Sequence, residues 1–238
     1  MSLNDLAFLT PVARRNLKEL AYEQLRTGLI RGRFSPGYPL TVRGVAEALG
    51  ISPMPVRAAL DRLEAEGALV ARDGNRTLAV PELTIEAYRE LREIRIMLEG
   101  LAAQKAAEAI VPHELEVIEQ AVSAMQAAVD AGDVDGYLST NWQFHFGVYR
   151  SSRMPALVSM IESLWLRVGA YVRWMMPDSA ALERSMPNHW LIADALKQRD
   201  AVAARRAIEA DILESSDHLL SMLGASSTSR VAAEDIPT

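Results

Sequence analysis

Four punctuation marks in fixed order, Thr41, Gly50, Ser52-Pro53 and Asp73-Gly74, constrain the first third of this chain more than any property of its composition. Thr41 opens a short run with apolar residues at helical spacing (Val42, Val45, Ala46, Leu49). Gly50 closes the run, as suits the left-handed position that ends a helix. One tight turn later Ser52 stands at an N-cap. Pro53 takes the first helical position, where a missing N–H costs nothing, and Pro55 falls among the early N–H groups that lack an intrahelical partner. Val56, Ala59, Leu60 and Leu63 then recur at helical spacing and turn toward a core, leaving Ser52, Met54 and Arg57 on the other side of the helix start. After Glu66-Gly67, the segments Leu69–Arg72 and Thr77–Val80 flank Asp73-Gly74-Asn75-Arg76, the strongest hairpin signal in the chain.

Two helices across a tight turn with a hairpin behind them make a winged helix-turn-helix, and the N-terminus of its second helix is the end that enters a major groove. The sequence therefore nominates Thr41, Arg43, Ser52, Met54, Pro55 and Arg57 on the helices, and Asn75, Arg76 and Thr77 on the wing, as contacts to double-stranded DNA. Arg43 and Arg57 would reach base edges or phosphates, and the wing residues the backbone or minor groove. The bland alternative is a small helical packing module with a surface hairpin. Agreement of turn, cap and wing in order and length weighs against it. Charge points the same way: residues 1–81 hold 11 Lys and Arg against 8 Asp and Glu, whereas residues 82–238 hold 14 against 23, so a basic module is tethered to an acidic one. A net charge of −6 for the whole chain excludes a nonspecific, whole-surface binder of nucleic acid.

The 238 residues suit one or two domains. Val80-Pro81-Glu82-Leu83 reads as a short joint between a first domain at 1–81 and a second at 82–223, followed by a polar tail at 224–238 with the composition of a disordered end. Without cysteine no disulfide can form. There is no apolar run of about 18 residues and no basic-then-apolar leader, so the sequence suggests neither a membrane span nor secretion, and the cytoplasm is the expected compartment. Helical periodicity fills the second domain over 84–109, 113–131, 133–151, 154–175, 187–198 and 201–223, with Gly132, Pro155, Pro177 and Pro187 as breaks. The predicted fold is mainly α, a winged helix-turn-helix of three helices plus a β-hairpin wing followed by an all-α antiparallel bundle of about six helices.

Polar residues seated in the apolar stripes of this bundle are its most informative feature. Asn141 and His145 share a face with Val134, Leu138 and Val148; His189 with Ile192, Ala193 and Leu196; Asp211 with Ala204, Ile208 and Ser215; Arg95 with Tyr88, Leu91, Leu98 and Ala102. Burial without partners would cost on the order of several kcal/mol at each charged position. Asn141 and His145, one turn apart, can place an oxygen and a nitrogen on one metal ion, and His189 and Asp211 would complete an N₂O₂ set. Arg95 is the candidate holder of a ligand carboxylate, because its planar fork accepts both oxygens and keeps its charge. Trp142, Tyr149, Trp165, Tyr171 and Trp174 are candidate pocket walls and Arg167 and Arg173 further anion contacts. The competing account is a satisfied core in which Arg95 pairs with Glu99 and His145 with Asn141. His218 lies two turns beyond Asp211, a rise of about 10 Å, too far to share an ion that reaches about 2 Å to nitrogen.

The wording "VRGVAEALGISPMPVRAALDRLEAEGALVARDGNRTLAV" resembles the DNA-binding domain of GntR-family bacterial transcription regulators. The segments "LREIRIMLEGLAAQKAAEA", "NWQFH" and "NHWLIADALKQRDAVAARRA" resemble the FCD type of effector domain of the FadR-like branch, and the likeness runs from about Leu17 to Leu220. FCD domains commonly hold a divalent metal through an Asp and three His. The resemblance places Asn141 at the aspartate position, His145 and His189 at matching histidines, and Asp211 at the last histidine position. The family often carries Arg where this chain has Pro53. The resemblance thus implies a homodimeric, ligand-responsive regulator, a repressor by the usual pattern, that reads an inverted repeat and senses a small organic acid, with a divalent ion, Zn or Ni, as cofactor. The alternative is a metal-dependent helical-bundle enzyme acting on a small carboxylic acid. Against it stand the lack of a Glu-x-x-His pair, a nucleophile elbow or a phosphate-cradling Gly-rich loop.

Overall fold

Thr41 caps the helix that follows it, its hydroxyl accepting the Gly44 amide at 3.1 Å, and Gly50 ends that helix at φ +64°, in the left-handed region. The computed structural model to which these angles belong describes residues 17–72, 77–175 and 179–234. Its first domain runs α1 (Leu17–Ile30), β1 (Pro39–Leu40), α2 (Val42–Leu49), α3 (Pro53–Ala65), β2 (Val70–Ala71) and β3 (Leu78–Ala79). The strands form an antiparallel sheet in the order β1-β3-β2, so the wing hairpin gains a third strand from the segment before α2. Val56, Ala59, Leu60 and Leu63 of α3 are buried with Leu25 and Leu29 of α1 and Val45 and Ala46 of α2, as the periodicity predicts.

Ser52 differs from expectation. It occupies the N-cap of α3 but makes no side-chain capping bond. An N-cap hydroxyl serves the N–H of the second or third helical residue, and the third here is Pro55, which has none. Gly50 offers a clean measure of backbone cost, since a Cβ added there would meet nothing within 4 Å. Gly50→Ala is expected to destabilise the protein by about 1–2 kcal/mol through the left-handed backbone alone, read as a lower midpoint in urea with an unchanged slope.

The second domain comprises α4 (Ile85–Ala109), α5 (Pro112–Asp130), α6 (Val134–Ser151), α7 (Pro155–Met175), α8 (Ser179–Lys197) and α9 (Ala201–Glu234). These are the six helices of the predicted bundle, with two changes of extent. Pro187, expected as a start, lies inside α8, which begins a full two turns earlier at Ser179. A proline interrupts only the hydrogen bond to residue i−4 and can be carried where packing on both sides fixes the helix; here Leu182 and Met186 before it and Ile192 and Ala193 after it are all buried. The last helix extends to Glu234, into the stretch expected to be a disordered tail, because Gly224 alone is too weak a breaker and the next proline is Pro237. Among the described residues no helix is long and apolar enough to cross a membrane.

The two domains meet along α1 and α7. At Gly169 the backbones touch: a Cβ there would lie 2.8 Å from Ile30 Cα and 2.9 Å from Ile30 O. Gly32, at φ +64°, lies against Gly169 in turn, a Cβ on it being 2.9 Å from the Gly169 carbonyl. Around this contact Arg26 bridges to Glu162 at 2.7 Å, Arg33 and Arg173 share Asp135 at 3.0 and 2.5 Å, and the Arg31 guanidinium lies 5.4 Å from the Trp142 ring centroid. The joint is strapped down as well, since the Tyr171 hydroxyl accepts the Leu83 amide at 2.6 Å and donates to the Pro81 carbonyl at 3.2 Å.

Candidate metal centre and nucleic-acid interface

Inside the bundle, α6, α8 and α9 bring Asn141, His145, His189 and Asp211 together, all buried. His189 Nε2 lies 3.0 Å from Asn141 Oδ1 and 3.2 Å from His145 Nε2; His145 Nε2 lies 3.6 Å from Asp211 Oδ2. One donor atom each from His145, His189 and Asp211 lies within 4.8 Å of the others. Tetrahedral ligands about 2.0–2.1 Å from zinc stand roughly 3.3 Å apart, so these spacings suit a small cation.

The surroundings fix which nitrogens carry protons. His189 Nδ1 lies 2.8 Å from the Ser185 carbonyl, which can only accept, so Nδ1 holds the proton and Nε2 keeps its lone pair. Tyr149 donates its hydroxyl proton to Glu99 at 2.5 Å and therefore accepts from His145 Nδ1 at 3.2 Å, leaving His145 Nε2 a lone pair too. The two Nε2 lone pairs thus face each other and the Asn141 amide oxygen, with the Asp211 carboxyl group alongside. Such a set is repulsive when empty and complementary to a divalent ion. Burial, the neighbouring His189 and the Arg95 charge hold His145 well below its ordinary pKa, so it is neutral and its contact with Asp211 is not an ion pair. Burial pushes the Asp211 pKa up, opposed by His189 and Arg95.

Arg95 is where the sequence placed it, on the α4 stripe facing this cluster, but it is already engaged. Its Nε donates to Glu99 at 2.7 Å, and Glu99, fully buried, also accepts from Tyr149 and from Trp165 Nε1 at 3.2 Å. Although burial opposes the charge, Glu99 with Tyr88 and Tyr149 holds the Arg95 pKa above its ordinary value. Nη1 of Arg95 remains buried without a hydrogen-bond partner, so the guanidinium still has a donor to offer. Trp165 belongs to this cluster, its ring centroid 5.5 Å from that of His145.

Three of the candidate effector contacts lie elsewhere. Trp142 turns to the domain boundary, stacked between Arg31 and Arg150, because it follows Asn141 by one residue and so points about 100° around α6. Tyr171 holds the interdomain joint, and Arg167, two residues after Trp165, is exposed on the far side of α7. What the sequence reading missed is the second layer: Glu99 as a triple acceptor, and Ser185, whose carbonyl sets His189 while its hydroxyl pairs with Tyr137 at 2.5 Å. The i,i+4 spacing paired Glu99 with Arg95 alone and gave no sign of Tyr149 or Trp165; a backbone carbonyl leaves no signal at all.

At the other end of the molecule, Thr41, Arg43, Ser52, Met54 and Arg57 are exposed on one side of the helix pair, Met54 at 75% of its surface, with Pro55 and Thr77 half-buried. Asn75 and Arg76 lie outside the described residues. In this domain Arg26, Arg33 and Arg62 are tied to carboxylates, whereas Arg43 and Arg57 have no ion pair or hydrogen bond among the described residues. A solvent-facing apolar side chain and two unneutralised guanidinium groups at the start of a helix can meet a thymine methyl, guanine edges or phosphates.

Comparison with known proteins agrees with both halves. Residues 17–78 match the bacterial regulatory proteins of the gntR family, and residues 90–214 match the FCD domain. The HTH-type transcriptional regulator McbR of Escherichia coli K12 is 32% identical over 192 residues, covering 80% of this chain and 86% of that protein. The HTH-type transcriptional repressor RspR of the same organism is 27% identical, covering 82% and 86%. The solved structure of E. coli McbR superposes with a TM-score of 0.79 at 31% identity, over 87% of this chain and 97% of that one. A GntR regulator from Rhodococcus sp. RHA1 shares the fold, at a TM-score of 0.70 and 20% identity over 85% and 97%. Both E. coli relatives are named as transcription regulators.

Proposed function

The chain belongs to the GntR family of bacterial regulatory proteins, with an FCD domain as its second half, and is a transcription regulator; we propose that it is a homodimeric repressor released from its operator by a small organic acid sensed in the bundle. The observation that carries the sensory half is the convergence of ligand atoms from Asn141, His145, His189 and Asp211, which suits a divalent cation. Zn or Ni suits two imidazoles, an amide oxygen and one carboxylate. When bound, the ion supplies positive charge against which an acid's carboxylate can settle. Arg95 Nη1 stands ready as a hydrogen-bond donor to that carboxylate, and Trp165 and Glu99 hold Arg95 in place.

The DNA-binding half acts through α3. Met54 and Arg57, with Ser52 and Pro55, would enter the major groove, Thr41 and Arg43 would lie on the adjoining strand, and Asn75, Arg76 and Thr77 of the wing would follow the minor groove or backbone. Two copies would read the halves of an inverted repeat about one helical turn apart. The chain's likeness to a named repressor supports the sign of the response. For the acid to act it must bind the released spacing of the two DNA-binding domains more tightly than the bound one. Neither step needs a membrane, and both are set in the cytoplasm.

Selection of bound fragments from a genomic library, followed by affinity measurement on the recovered operator, tests the DNA half. Arg57→Ala is expected to weaken operator binding roughly 5- to 150-fold, the equivalent of about 1–3 kcal/mol for a base contact, with an unchanged circular dichroism spectrum. Undiminished operator affinity would remove Arg57 from the interface.

A further inference from the structure

Rotation of α3 about its axis is fixed by its buried side. Val56, Ala59, Leu60 and Leu63 pack into the first domain, which turns Met54, Arg57 and Asp61 outward along one face. At 75%, Met54 is the most exposed large apolar side chain among the described residues, and it stands at the end of the helix that meets the groove. Arg57 follows one turn on and, among the described residues, has no ion pair or hydrogen bond, even with Asp61 a further turn along. Backbone donors are scarce here. Pro53 and Pro55 carry no N–H, so the helix start has little with which to seat a phosphate directly, and contact passes to the side chains.

The first helix of such a pair crosses the DNA backbone, which places Arg43 of α2 at phosphates and leaves the base edges to α3. In the major groove thymine alone presents an apolar group, its 5-methyl, while O6 and N7 of guanine match the fork of a guanidinium. Met54 and Arg57 are separated by a rise of about 4.5 Å along the helix, and successive base pairs by about 3.4 Å. The two side chains therefore address base pairs one or two steps apart. Asp61, about 6 Å beyond Arg57, lies past the N-terminal residues that reach base edges. We infer that each operator half-site carries a thymine whose 5-methyl group packs on Met54 and, one or two base pairs away, a guanine read by Arg57. The inference rests on the placement of α3 in the major groove proposed above and adds the bases that it reads.

Each base group can be deleted singly from the recovered operator, the methyl by uracil in place of thymine and N7 by 7-deazaguanine in place of guanine. Affinities of the full chain, Met54→Ala and Arg57→Ala are then compared at one salt concentration, position by position. Both residues are exposed, so neither substitution disturbs the core. One uracil position per half-site should weaken the native chain about fourfold, the value of one buried methyl, and leave Met54→Ala no weaker than before. One 7-deazaguanine position within two base pairs of it should weaken the native chain at least about fivefold and have no effect on Arg57→Ala. Uracil effects that are the same in the native chain and in Met54→Ala, or sensitive positions more than two base pairs apart, overturn the base assignment; weaker binding by the variants would then leave α3 in the groove. Full operator affinity in both variants overturns the placement of α3 and this inference with it.

Discussion

Replacing His145 and His189 together by alanine is expected to take the purified protein from close to one divalent ion per chain to none, as read by elemental analysis. The reason is geometric: the two Nε2 atoms, 3.2 Å apart, have their other nitrogens committed to Tyr149 and to the Ser185 carbonyl, and Asn141 with Asp211 cannot hold a borderline-soft ion by oxygen alone as well. Stability should follow occupancy. At a free ion concentration a hundredfold above the dissociation constant, binding contributes about 2.7 kcal/mol, or roughly 5–10 °C in melting temperature for a chain of this size. A strong chelator is therefore expected to lower the melting temperature of the native protein by about that amount and to leave the double variant where it was. Unchanged metal content in the variant would refute the ligand set. A native protein indifferent to chelation would mean that the lone pairs are satisfied by something other than an ion.

Where the chain marks its own backbone, the fold was legible. Thr41, Gly50 and Pro53 each act over one or two residues, and α2 and α3 fall where those residues put them. The polar positions on apolar stripes were legible for the same reason, since helical periodicity carries Asn141, His145, His189 and Asp211 inward whatever the neighbouring helices do. Rotation about a helix was the weaker inference. Trp142 and Tyr171 are large and apolar enough to pass for pocket walls, yet each serves the domain boundary, because a residue's direction is set by which helix lies opposite, and periodicity does not name that helix. Arg95 shows the limit from the other side. Its inward direction was readable, but its engagement by Glu99 is a matter of distance between two long side chains, and the account of a satisfied core, Arg95 with Glu99, proved right for that pair. Between His145 and Asn141 no bond of that kind forms; the histidine turns its proton to Tyr149 instead.

The domain boundary gives the second large effect. Gly169→Leu is expected to separate the DNA-binding domain from the bundle, because any side chain at this position must displace the backbone of α1 at Leu29 and Ile30, and backbone cannot swing aside as a flexible side chain can. Overpacking of this kind costs about 1–3 kcal/mol where a core can relax, and here the softer response is to open the seam. Each domain keeps its own buried core, so both should remain folded, and the variant is expected to melt in two transitions where the native chain melts in one. Amide exchange is expected to rise at Leu29–Gly32 and around Gly169, with little change at Leu60 and Leu63 in the heart of the first domain. The regulatory consequence follows from where the seam lies. Trp142 follows Asn141 on α6 and meets Arg31, and Gly169 stands one turn beyond Trp165 on α7 and meets α1, so two of the helices that border the metal centre also touch the first domain. A chain with this seam opened should still bind operator, through an intact α3, but an acid that releases the native protein should shift its operator affinity by less than about twofold, the coupling free energy between the sites having lost its carrier. Retention of the full acid response by Gly169→Leu would show that the signal crosses by the Val80–Leu83 joint alone, and would move the search for the coupling path from α7 to the strap that Tyr171 holds.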